Sequence, residues 1–164
     1  MSLTTQQLQA INAYIASVPA WAALANDSTN AAFIADQLNV PTADFVVWRS
    51  RVDQDEIMQN GMDWTRVDNL TIGKARIWEW MFNNAERVFN PSKANVRAGI
   101  DATWVGTAAD LAVRASVYGH CKRFATLGEK VLATGTGSDA SPATMGYEGA
   151  SATPMCSRRG VCNG

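Results

Sequence analysis

Across the first 133 residues, apolar side chains recur at helical spacing, and this periodicity constrains the fold more than any other feature of the chain. Leu8, Ile11, Ile15 and Val18 fall at i, i+3, i+7 and i+10, one stripe of an amphipathic helix. Thr4 or Thr5 is its N-cap, and Pro19 lies just beyond its end. Asn26-Asp27-Ser28-Thr29 makes a turn that leads into a helix over 31–38, which stops before Pro41 because the residue preceding proline is pushed out of the helical region. Thr42 then caps a segment carrying Phe45, Trp48 and Val52 at i, i+3 and i+7. The acidic run Asp53-Gln54-Asp55-Glu56 continues or restarts that helix, and Asn60-Gly61 closes it.

Residues 68–88 are predicted as a central helix. Leu70, Gly73, Ile77, Met81 and Val88 form one stripe, and Trp78, Phe82, Ala85 and Phe89 a second, so the segment is apolar over much of its girth. Asn90-Pro91 reads as an N-cap followed by proline at the first helical position, opening a helix lined by Val96, Ile100 and Trp104. Gly106-Thr107 separates it from a helix over 108–118 with Leu111, Ala115 and Tyr118 inward, and a short helix spans 126–133. No stretch alternates with period two, so the expected fold is all-α: a small helical bundle over 1–133.

Composition changes at Thr134. The 31 residues 134–164 hold six of the twelve glycines, four serines, four threonines, four alanines and two prolines. Such a segment buries too little apolar surface by itself to offset its ordering entropy. Met145, Tyr147, Met155 and Val161 are spaced apolar anchors within it, a pattern shared by frayed termini and by arms that order on a partner.

With 14 Lys+Arg against 15 Asp+Glu, the formal charge is -1, and no basic field exists to hold nucleic acid. No apolar run approaches the ~20 residues of a membrane span, and the opening Met-Ser-Leu-Thr-Thr-Gln-Gln lacks the features of a signal peptide. Cys121, Cys156 and Cys162 have no disulfide-framework spacing, which suits free thiols in a reducing compartment. Six tryptophans in 164 residues point to a tightly packed core or to a surface that meets partners.

No constellation in the sequence supplies catalysis. His120 and Cys121 are neighbours on a helix and project about 100° apart, so they do not face each other. A zinc site from His120, Cys121, Cys156 and Cys162 fails on the five-residue gap between the last two. Asp53-Gln54-Asp55 opens like a calcium loop, but Ile57 and Met58 stand where a ligand and the required glycine belong. Gly135-Thr136-Gly137-Ser138-Asp139-Ala140 matches G-x-G-x-x-A yet follows a helix and precedes Ser141-Pro142, the wrong context for a dinucleotide turn. Neither enzymatic activity nor a cofactor nor a metal is expected.

Three stretches together resemble the C-terminal part of neck proteins of long-tailed bacteriophages, the head–tail connector, adaptor or head-completion proteins. They are Gly-Thr-Ala-Ala-Asp-Leu-Ala-Val-Arg-Ala from Gly106, Gly-His-Cys-Lys-Arg-Phe-Ala-Thr-Leu-Gly-Glu-Lys-Val-Leu from Gly119, and Ala-Thr-Gly-Thr-Gly-Ser-Asp-Ala-Ser-Pro-Ala-Thr-Met-Gly-Tyr-Glu-Gly from Ala133. Gly73-Lys-Ala-Arg-Ile-Trp-Glu-Trp80 fits the same pattern, and residues after Gly149 depart from it.

The resemblance implies a helical ring in the virion neck, assembled from protein made in the host cytoplasm. It would join the portal protein to a tail-proximal neck or tail protein, with DNA passing through the lumen without sequence-specific binding. Residues 134–164 then become an arm ordered on a partner, with Ser141, Pro142, Met145, Tyr147 and Met155 as partner-binding residues. The rival expectations are another assembly protein, such as a tail terminator, and a small helical ligand-binding or regulatory domain with a pocket lined by Trp78, Trp80 and Trp104.

Overall fold

The computed structural model describes residues 3–146. In chain order the elements are α1 (Thr5–Ser17), α2 (Pro19–Ala22), α3 (Ser28–Leu38), β1 (Pro41–Trp48), β2 (Val52–Asp53), α4 (Gln54–Gln59), α5 (Trp64–Asp68), α6 (Ile72–Met81), β3 (Val88–Phe89), α7 (Ala94–Thr103), α8 (Ala108–His120), β4 (Lys122–Thr126) and α9 (Leu127–Leu132). Among the described residues the fold is mixed α/β, 54% helical and 14% strand, with two small antiparallel sheets, β1–β4 and β2–β3. The all-α expectation is therefore corrected.

The correction turns on Phe45-Val46-Val47-Trp48. Aromatic and β-branched side chains fit a pleated, half-buried surface, and Val46 and Val47 are both buried in β1. Pro41 is the first residue of the strand, a position that tolerates its missing N–H. Thr42, expected as a helix cap, instead donates its hydroxyl to the Ala125 carbonyl at 3.0 Å.

The expected helix over 68–88 is also divided. Thr71 caps a fresh start at α6, its hydroxyl accepting from the Lys74 N–H, and the helix ends at Phe82. Asn84 then clamps a turn on both sides of Val88, with Nδ2 donating to the Val88 carbonyl at 2.6 Å and Oδ1 accepting from its N–H at 3.2 Å. This turn feeds β3, which pairs Val88 with Asp53 and Phe89 with Val52. Asn90 does not cap a helix; its side chain accepts from the Ser92 N–H at 3.0 Å, Pro91 is buried, and α7 starts only at Ala94.

The chain forms two compact units, one from residues before Trp48 and after Arg123, the other from Trp48–Arg123. In the first unit, α1 opens with a capping box between Thr4 and Gln7. It buries Ile11 and Ile15 against Ile34 and Leu38 of α3, with Leu127, Val131 and Leu132 of α9 packed on them. A smaller cluster joins Val47 of β1, Ala125 of β4, Ala143 and Met145.

Residues 134–146 are bedded on this unit. Thr134 and Thr144 exchange two backbone hydrogen bonds, at 2.8 and 2.9 Å. The Val46 N–H donates to the Gly137 carbonyl at 2.7 Å, and the Ala143 N–H to the Val46 carbonyl at 2.9 Å. Gly137 has φ +69°, and a Cβ there would run into the Phe45 ring. A Cβ at Gly146 would meet the Leu132 carbonyl, and that glycine's own carbonyl accepts from the Gln7 side chain at 2.7 Å.

The second unit is built on an aromatic chain. Phe89, Phe82, Trp78 and Trp104 meet edge to face in succession, with ring centroids 5.1, 5.1 and 5.3 Å apart. Val52, Ile57, Ile100, Val113, Val117 and Cys121 complete the buried cluster. The inward face of α8 is thus Val113 and Val117, not the expected Leu111 and Ala115, which are exposed.

Candidate functional site

The second unit leaves large apolar side chains in water on and beside α6. Trp80 is 76% exposed, Ile72 75% and Trp64, at the start of α5, 55%. Helix geometry forces this outcome. Trp78 and Trp80 are two residues apart, about 200° around the helix, so burying Trp78 in the aromatic chain turns Trp80 outward. Ile72, Arg76 and Trp80 fall at i, i+4 and i+8, on one exposed face. Burying an aromatic side chain removes roughly 150–250 Å² at ~25 cal/mol/Å², so leaving three quarters of Trp80 in water forgoes about 3–5 kcal/mol. That magnitude marks the face as unusual for a surface with no partner.

Next to Trp64 lies a cavity of about 260 Å³, lined by Met58, Met62, Trp64, Val67, Leu70 and Trp78 among others. The sequence had suggested a pocket formed by Trp78, Trp80 and Trp104. Those three do not line one: Trp104 is fully buried against Trp78, and Trp80 faces solvent. Among the described residues, the indole N–H of Trp104 is buried with no hydrogen-bond partner, a cost in the centre of this core.

A polar cluster ties α4 to the ends of β1 and α8. Arg49 donates to a Glu56 carboxylate oxygen at 2.6 Å and to the His120 carbonyl at 2.9 Å. The His120 Nε2 is 3.0 Å from the Asn60 carbonyl, and its Nδ1 lies 3.5 Å from Glu56. The Arg49 guanidinium, bonded to it, holds the Glu56 carboxyl below the usual range. Cys121 points the other way, into the core, where burial pushes its thiol up to about 12. His120 and Cys121 therefore occupy separate environments, one in a salt-bridged cluster and one among apolar side chains.

Of the residues assigned to partner binding, Ser141 is exposed, while Pro142 and Met145 are buried in their own unit. Tyr147 and Met155 lie outside the described residues, as do Cys156 and Cys162. Gly135, Gly137 and Gly146 bring this segment close to Ala143, Phe45 and Leu132 of the same unit. The Gly135–Gly137 turn is the fold-back onto β1 and not a phosphate loop. Among the described residues, no three His, Cys, Asp or Glu side chains are grouped to hold a metal ion, and no helix is long and apolar enough to cross a membrane.

Sequence reasoning missed the exposed face of α6, although the Trp-Glu-Trp spacing contained it. Comparison with family models, with curated proteins and with solved structures finds no match.

Proposed function

We propose that the chain is a structural protein of the tailed-bacteriophage neck. In this reading it forms a ring that joins the portal protein to a tail-proximal neck or tail protein, with DNA threading the lumen without sequence-specific contact. The observation that carries the reading is the exposed aromatic face of α5 and α6, with Trp64, Ile72 and Trp80 in water. Interface cores are enriched in tryptophan and arginine, and such anchors dominate binding energy. The sequence resemblance, which covers about residues 40–150, supplies the kind of assembly.

The part of residues 134–164 that is bedded on the first unit braces β1 in this reading, and docking falls to the α6 face. Quantitative mass spectrometry of purified tailed virions encoded with the chain tests the proposal. Presence in a copy number matching the portal is expected; absence from intact virions overturns it.

A second reading, a ligand-binding domain, rests on the cavity beside Trp64. Its volume of about 260 Å³ falls below the roughly 300–1,000 Å³ of small-molecule sites. Quenching of Trp64 and Trp78 fluorescence by a small apolar ligand at micromolar concentration would favour this second reading instead.

A further inference from the structure

We infer that the α6 face of one copy docks on the α3 face of a second copy. The inference deepens the ring reading and rests on it for the occupant. Two exposed faces carry the same layout with opposite charge. On α6, Ile72 and Trp80 bracket Arg76. On α3 and just past its end, Phe33 and Val40, each about half exposed, bracket the exposed Asp36. Asn39 keeps a right-handed helical backbone at the end of α3, so its course extends to Val40. At 1.5 Å per residue the anchors stand about 10.5 Å apart on α3 and about 12 Å apart on α6.

Neither the Arg76 nor the Asp36 side chain has a hydrogen-bond or ion-pair partner among the described residues. Lying the two helices together sets each apolar anchor against an apolar anchor and pairs the two charges between them. Because the faces differ, the contact is head-to-tail, the kind that closes into a ring or runs on as a filament rather than forming a closed pair. An ion pair flanked by apolar anchors fixes partner and register more firmly than a rim charge does.

Sedimentation of the full chain, from micromolar to about 1 mM, where a contact is worth only ~4 kcal/mol, is the test. Self-association is expected. R76E alone and D36R alone should each weaken it about tenfold or more, and the double variant D36R/R76E should restore most of it. W80A should weaken it about thirtyfold while leaving the far-ultraviolet circular dichroism unchanged. A chain that stays monomeric to about 1 mM overturns the contact, as does a double variant no better than the worse single one. Virion copy number separates this from the adaptor reading. Presence in virions without charge-swap rescue removes the α3–α6 contact alone; rescue with absence from virions removes the adaptor reading alone.

Discussion

The first unit covers the strand β1 with its own later sequence and leaves Phe33, Val40 and Phe124 about half exposed, whereas the second turns Ile72 and Trp80 three-quarters into water. In the first, Phe45 of β1 is backed by Gly137, and Val47 shares a cluster with Ala143 and Met145. Lys130 adds a lid on the same strand, bonded to Asp44 at 3.1 Å and lying over the Phe45 ring at 5.5 Å. In the second, the interior is filled by four aromatic rings in edge-to-face series, and Trp64 and Trp80 are turned out to water. A glycine-rich tail can therefore be part of a core when its glycines allow close backbone approach. A tryptophan-rich helix can be partly surface when its period cannot bury every ring.

This contrast sets the size of the effects expected from substitution. Removing the ring at the centre of the second unit, Trp104→Ala, should cost about 3–5 kcal/mol in denaturant unfolding, since the side chain is fully buried. Trp104→Phe should cost far less than that, because the orphan indole N–H disappears along with part of the ring. A Phe variant as damaging as the Ala variant would mean that the N–H has a partner.

In the first unit, Gly137→Val should cost about 2 kcal/mol or more, from the positive φ and the collision with Phe45. It should also free residues 134–146 for hydrogen exchange. Wild-type protection of Thr144 in that variant would show that the fold-back does not depend on this glycine.

A smaller effect is expected at the Arg49–Glu56 pair. Because the folded state holds the Glu56 carboxyl low, its contribution is complete above the ordinary carboxylate pKa and is lost as pH falls through the depressed value. Glu56→Gln should therefore be about 0.5–1 kcal/mol less stable than wild type near pH 7, a figure held down because the carboxylate is a third exposed. The gap should close below about pH 4 in unfolding curves measured across pH.

The smallest change belongs to the exposed face. Ile72→Ser should leave monomer stability within about 0.5 kcal/mol of wild type. A loss of several kcal/mol would mean that the side chain is already buried in the isolated chain.

Much of the helical content was legible because its signals are local. The Thr4–Gln7 box, the cap at Asp27, the Gly61 closure and the Thr107–Asp110 box all sit where the sequence places helix ends. β1 was not legible, since Phe45, Trp48 and Val52 satisfy a helical spacing while Val46 and Val47 between them favour a strand. What decided the case was a partner strand more than 70 residues away, at Lys122–Thr126. The fold-back of 134–146 was hidden for the same reason: composition reports how little apolar surface a segment has, not that its few anchors meet Val47. Of the candidate site, the spacing of Trp78 and Trp80 was sufficient to place one of them outside. Which one faced inward depended on Phe82 and Phe89 joining Trp78.

Oxidative footprinting of the tryptophans, in the free chain and in purified tailed virions, tests the central claim most directly. Trp104 should be protected in both states, while Trp80 and Trp64 should react readily in the free chain and become protected in the virion. Equal reactivity of Trp80 in both states, or absence of the chain from the virion, would contradict the account.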